Sequence, residues 1–221
     1  DADTMSVLIR EQIVAACKKL ESAGLNRGTS GNVSCREKDH FLITPSGVPV
    51  DEITPSRIVA VGYDGKVIGI GKPSSEWHFH CDILQARPDI GAGGHAHSPY
   101  ATAIACLRED IPAFHYMIAV AGGDSIRCAP YALFGTDTLS RHAVEALDGR
   151  KACLLANHGM ITLGRDLDEA MAIAVEVESL CQQYLLARQV GQPALLSADE
   201  MQRVIEKFKN YGRNAQNPSR P

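Results

Sequence analysis

Residues Lys72 to Tyr100 read KPSSEWHFHCDILQARPDIGAGGHAHSPY, a span with the marks of a helix, a strand and the start of a second helix. The spacing predicts a helix opening near Ser75 and running to about Arg87, where Pro88 stops it. Ile90–His97 reads as a strand, and Ser98-Pro99 caps a further helix with proline at its first position. In a strand, residues two apart face the same side, so His95 and His97 would present both imidazoles together. That is chelating geometry for Zn²⁺, which takes nitrogen ligands at about 2.0–2.1 Å. His78 and His80 share the spacing, but two residues of helix turn through about 200°, so this pair diverges. A His-x-His pair alone is also ordinary strand sequence.

Working outward, Val7, Leu8, Val14, Cys17 and Leu20 recur at helical steps, and Gly24 ends that pattern. Leu25 to Ser34 is rich in Gly, Asn and Ser and reads as a loop feeding a strand. Phe41–Thr44 reads as a short strand before a Pro45-Ser46-Gly47 turn, and Ile58–Val61 with Lys66–Ile70 as a hairpin around Asp64-Gly65. Toward the C-terminus, Thr136 to Leu147 is helical. Ala152–Ala156 and Met160–Leu163 are strands flanking Asn157-His158-Gly159. Asp166-Leu167-Asp168-Glu169 is a capping-box pattern opening a long helix to about Gln189. A last helix opens at Ser197 and is expected to end near Tyr211-Gly212, before a polar, mobile tail over 213–221. The short, Gly-separated strands argue against a doubly wound parallel sheet. The expected architecture is a three-layer α/β/α fold, a largely antiparallel central sheet flanked by helices, in one domain over 1–221.

The composition narrows the function. The 221 residues carry a net charge of -4, which gives no basic footprint for nucleic acid. No apolar run approaches the roughly 18 residues that span a membrane. The N-terminal DADTMSVLIREQ places acids ahead of apolar residues, the reverse of a signal peptide. The seven cysteines are scattered and form no CxxC pair, as expected of reduced core thiols in the cytoplasm.

Three small, donor-rich segments could cradle an anion: Thr29-Ser30-Gly31-Asn32, Ser46-Gly47, and the Ser74-Ser75 helix start with its backbone N–H groups. Each is equally an ordinary turn or N-cap. His158, at the tip between two apolar strands, could complete a catalytic zinc set of three histidines plus a carboxylate. Glu76, one or two residues into its helix, would be helix-dipole decoration, or a proton carrier if that helix start faces the metal.

With these residues collected, the chain resembles the class II aldolase/adducin superfamily, most of all its L-fuculose-1-phosphate aldolase branch. The likeness runs through GLNRGTSGNVS (24–34), ITPSGVP (43–49), KPSSEWHFH (72–80), GGHAHSPYATAIA (93–105), IPAFHYMIAVAGG (111–123), CAPYALFGT (128–136), NHG (157–159) and EKFKNYG (206–212). It implies that His95, His97 and His158 are Zn²⁺ ligands, with Mn²⁺ or Co²⁺ as other divalent choices. Glu76 would be the fourth group, moving between metal and proton transfer. Thr29, Gly31, Asn32, Ser46, Gly47, Ser74 and Ser75 match the family's phosphate pocket. Tyr116 matches a tyrosine that enters a neighbouring subunit's site, and Phe134 and Tyr211 match residues near the aldehyde. The resemblance also implies a homotetramer with active sites between subunits. The implied reaction cleaves a ketose 1-phosphate to dihydroxyacetone phosphate and an aldehyde through a metal-stabilised enediolate. Candidate substrates are L-fuculose 1-phosphate, 5-deoxyribulose 1-phosphate and 5-methylthioribulose 1-phosphate. The same scaffold also serves pentulose-phosphate epimerases, methylthioribulose-1-phosphate dehydratases and non-enzymatic adducin heads, the last without the metal histidines.

Overall fold

The computed structural model describes residues 2–215, with side chains described for 4–210. Eight strands form one sheet: β1 (Asn32–Glu37), β2 (His40–Ile43), β3 (Val59–Gly62), β4 (Val67–Ile68), β5 (Ala92–Ala96), β6 (Arg127–Ala129), β7 (Ala152–Leu155) and β8 (Gly159–Gly164). Their spatial order is β4-β3-β2-β1-β5-β8-β7-β6. Every neighbouring pair is antiparallel except β6 with β7, which is parallel. The three-layer, largely antiparallel expectation holds. β6 has no counterpart in the sequence reading, because three residues with no alternation leave no periodic signal.

Helices cover both faces: α1 (Ala2–Ser22), α2 (Trp77–Ala86), α3 (Pro99–Ala105), α4 (Asp137–Ala146), α5 (Leu167–Val190) and α6 (Ala198–Ala215). Strand side chains alternate between two apolar clusters, as period-2 geometry requires. Leu42, Ala60, Ala92, Ala96, Leu154 and Met160 pack with α1, α3 and α5. Phe41, Val59, Val61, Cys153, Leu155 and Ile161 pack with α2 and α4. By that alternation His95, between Ala92 and Ala96, lies on the α2 side.

The expected N-terminal helix is present, and two other local readings, the start of α2 and the end of α6, are corrected. α1 buries a stripe of Ile13, Val14, Cys17 and Leu20, while Val7 and Leu8 are exposed, at 51% and 45%. The stripe continues N-terminally through the partly buried Ile9, and its neighbours at 7 and 8 rotate off that face at about 100° per residue. α2 begins at Trp77, so Ser74, Ser75 and Glu76 precede it, and Glu76 is the N-cap. The Trp77 N–H bonds to the Ser74 carbonyl at 3.0 Å, closing a turn rather than a first helical turn. α6 continues past Tyr211-Gly212 to Ala215. The remainder of the tail over 213–221 lies outside the described residues.

The other helix starts follow their sequence signals. Thr136 caps α4, accepting from Leu139 N–H, and Asp166 caps α5, accepting from Glu169 N–H. Ser98 precedes Pro99 as expected, but its hydroxyl makes no cap bond. Instead the Glu178 carboxylate of α5 accepts from the Tyr100 and Ala101 N–H groups at 3.3 and 2.8 Å. All seven cysteines are free thiols.

Candidate metal centre and adjoining pocket

Antiparallel pairing brings the first ligands together. β5 sits between β1 and β8, with His95 opposite Asn32 on one side and Ile161 on the other. The β7–β8 hairpin then returns His158 to the end of β5. Its turn uses Asn157 in the left-handed region, φ 57, a conformation asparagine tolerates better than most residues. Gly159 follows because nothing larger fits: a Cβ there would lie 2.4 Å from the Ala96 carbonyl oxygen and 3.1 Å from the His97 ring.

His97 lies one residue past the strand, yet its imidazole joins the cluster. The Nε2 of His95 is 3.0 Å from that of His97 and 3.1 Å from that of His158. Glu76 reaches in from the start of α2, with Oε2 3.0 Å from His95 Nε2 and Oε1 2.7 Å from His158 Nε2. One ligand atom from each of Glu76, His95, His97 and His158 lies within 4.8 Å of all the others.

This donor set fits a divalent cation. The Met160 carbonyl can only accept, so His95 Nδ1, 2.8 Å away, carries the proton and Nε2 keeps its lone pair for the centre. Three nitrogens and one carboxylate oxygen then converge where a cation answers all of them. Burial pushes the Glu76 pKa up, but the adjoining His95 and His158 outweigh it and hold the carboxyl far below its usual range. The His97 pKa is lowered to about 4, by desolvation first and then by His95 and His158, so its neutral, ligating form dominates near neutrality.

A cavity of ≈ 410 Å³ opens directly onto these ligands. Its wall includes Thr29, Gly31, Asn32, Ser46, Gly47, Ser74 and Ser75, with Glu76, His97 and His158 on the metal side and Phe134 at another edge. The structure thus brings together every residue expected in the phosphate pocket. Among the described residues, no lysine or arginine lines it. Gly31 adopts φ 84, and a Cβ on it would meet the Asn26 amide at 2.2 Å, so this turn depends on glycine. The Ser74 hydroxyl oxygen accepts from the Glu76 N–H at 3.3 Å, leaving its proton to donate. The helix-start cradle of the sequence reading is better described as three adjacent turns.

Two expected residues stand elsewhere. Tyr116 heads a 3₁₀ segment (Tyr116–Ala121), is 51% exposed, and does not line this cavity. The side chain of Tyr211 lies outside the described residues. Residues with no assigned role line it too, among them Tyr131, Ala132 and Asn157. Tyr131 and Asn157 are tied together through Arg108, whose Nε donates to Asn157 Oδ1 at 2.6 Å while its guanidinium lies over the Tyr131 ring. The only sequence signal for them is their place within CAPYALFGT and NHG. His78 and His80 diverge as expected. His78 pairs with Asp137 at 2.7 Å, and His80 is buried against β1.

A family model described as the class II aldolase and adducin N-terminal domain matches residues 11–185. A 5-methylthioribulose-1-phosphate/5-deoxyribulose-1-phosphate aldolase of Rhodospirillum rubrum is 54% identical over 215 residues, 97% of each chain. The L-fuculose phosphate aldolase of Escherichia coli K12 is 48% identical over 205 residues, 92% of this chain and 95% of that one. A solved L-fuculose 1-phosphate aldolase superposes with a TM-score of 0.88 at 44% identity, covering 91% of this chain and 96% of that one. By sequence, fold and ligand geometry together, this chain belongs to the class II aldolase and adducin family.

Proposed function

We propose that this single-domain chain is a zinc-dependent aldolase that reversibly cleaves a ketose 1-phosphate to dihydroxyacetone phosphate and an aldehyde. The observation that carries this reading is the shared cavity, where a His₃Glu centre and a cradle of small neutral donors face the same space. Thr29, Gly31, Asn32, Ser46, Gly47, Ser74 and Ser75 hold the phosphate through hydroxyl, amide and backbone donors. This orients the ketone and its neighbouring hydroxyl toward His95, His97 and His158. Zinc held there supplies Lewis-acid stabilisation of the charge that develops as the C3–C4 bond breaks. Among the described residues Glu76 is the one carboxylate lining the cavity, and it delivers a proton to C3 on cleavage and removes it on synthesis. Among the described residues, no lysine lines the cavity to form a Schiff base.

Past C4, the substrate faces Tyr131, Ala132 and Phe134. That apolar edge and the relative at 54% identity favour an aldehyde with no hydroxyl, as released from 5-deoxyribulose or 5-methylthioribulose 1-phosphate. L-Fuculose 1-phosphate is the second reading, supported by the relative at 48% identity. We further propose a cytoplasmic homotetramer in which Tyr116, exposed and outside its own cavity, enters a neighbouring subunit's site, takes the C4 hydroxyl proton on cleavage and returns it to the aldehyde oxygen on synthesis. Its free thiols fit a reducing compartment, and no helix among the described residues is long and apolar enough to cross a membrane. The test is a panel of ketose 1-phosphates assayed for dihydroxyacetone phosphate release, with metal content measured alongside. Release from the 5-deoxy and methylthio substrates, lost on chelation and restored by zinc, is expected. A dehydratase or an epimerase would release none, and activity that survives exhaustive chelation would remove the metal from the mechanism.

A further inference from the structure

Behind Glu76 lies a chain of buried polar side chains with no evident structural need. Ser34 and Asn32 are two apart on β1, so both project to the α2 side, where His80 on α2 fills the space between them. All three are buried, with exposures of 0%, 4% and 3%. Ser34 Oγ is 2.6 Å from His80 Nδ1, His80 Nε2 bonds to Asn32 Oδ1, and Asn32 Nδ2 donates to Glu76 Oε2 at 2.9 Å.

Chemistry fixes the direction of every bond. A carboxylate only accepts, so Asn32 must turn its NH₂ to Glu76 and its Oδ1 to His80. Oδ1 also only accepts, so His80 carries its proton on Nε2 and keeps the Nδ1 lone pair, and Ser34 donates to that lone pair. The reverse tautomer would turn Asn32 Oδ1 against the carboxylate, with two acceptors in contact. The imidazole therefore sets which face Asn32 shows to Glu76. Asn32 also lines the substrate cavity, so its amide stands between the phosphate cradle and the proton carrier.

We propose that His80, locked by Ser34, is a positioning residue that holds Glu76 through Asn32 in the geometry from which it transfers its proton. This rests on Glu76 as the proton carrier. An imidazole that only filled space would be replaceable by an isosteric ring, whereas a positioning one would not. The bond to Asn32 leaves His95 and His158 untouched, so metal binding should survive its loss while proton transfer slows.

The experiment follows exchange of the C3 proton of dihydroxyacetone phosphate in the zinc-loaded protein. Wild-type exchange, lost in Glu76→Gln, is the reference. Its absence in the wild type would remove the reading of Glu76 itself, not the positioning role alone. With that reference in place, His80→Phe is expected to slow exchange about 10–100-fold, the usual range for removing the group that orients a working one. KM and zinc content should stay near wild type. His80→Gln, whose amide can restore a donor to Asn32, should recover most of the rate. In an Asn32→Ala background His80→Phe should cost nothing further. Wild-type exchange in His80→Phe, or additive losses in the double variant, would overturn the proposal. If His80→Phe does not fold, Ser34→Ala carries the test. A severalfold slower exchange at unchanged KM supports the lock, and unchanged exchange overturns it.

Discussion

At the residue scale, two side chains make opposite demands on protons. In the proposed reaction Glu76 must be anionic at rest and able to accept a proton in turn. Glu76→Gln should still bind zinc through the three histidines and still bind dihydroxyacetone phosphate, yet exchange its C3 proton at least about a hundredfold more slowly. Isotope exchange measured by NMR checks this, and near-normal exchange would reassign the proton to another group. His80 must instead stay neutral. Burial first, with His95 adding to it against Glu76, lowers its pKa from 6.5 to about 3. Between those values the unfolded chain binds a proton that the folded chain does not. Stability from this group is therefore complete above pH 6.5 and falls as the pH drops toward 3, with a slope approaching about 1.4 kcal/mol per pH unit. Urea titrations across that interval should be steeper in pH for the wild type than for His80→Gln by nearly one proton. The ligands themselves were legible in the sequence, because spacing of two in a strand and a histidine in a hairpin tip are local facts. The partnership of His80 with Asn32 was not. It requires the packing of α2 onto β1 across 48 residues of sequence, and a lone buried histidine carries no mark of what it faces.

At the scale of elements, the site depends on how closely two strand ends approach. β5 ends at Ala96 beside the start of β8, and Gly159 leaves the room for it. Gly159→Ala must displace either the Ala96 carbonyl or the His158 turn, since backbone cannot swing aside as a side chain can. Expected are a destabilisation of about 1–3 kcal/mol and zinc affinity weakened about 10–100-fold. Metal titration and thermal melts on the same sample check both. The elements were largely readable from periodicity and caps: Thr136, Asp166 and Pro99 sit where their helices begin. The start of α2 was misplaced by about two residues. Ser74 makes a convincing N-cap in sequence, but its carbonyl closes a turn to Trp77 N–H first, and that choice is set by the bond of Ser74 N–H to Thr44.

At the scale of the molecule, one chain holds the metal ligands and the cradle but not every proposed group. Tyr116 lies outside the cavity to which the reaction assigns it. With the proposed shared sites, a reassembled mixture of Glu76→Gln and Tyr116→Phe subunits should therefore recover activity that neither variant has alone, because some sites would draw an intact residue from each. No recovery on mixing would place Tyr116 outside the reaction. Assembly of this kind leaves no trace in periodicity, since an exposed tyrosine reads alike on a free surface and on a subunit boundary. The cavity wall carries a different consequence. Among its described lining residues are hydroxyls, amides and glycines and no cationic side chain, so in the proposed function it would recognise an oxyanion by directional donors rather than by attraction at a distance. Screening, which shortens the Debye length from about 10 Å at 0.1 M to 3 Å at 1 M, removes long-range attraction and leaves contact geometry intact. Chloride should thus leave KM nearly constant, while tetrahedral sulfate at the same ionic strength competes for the cradle: the pocket is a filter for shape, indifferent to salt.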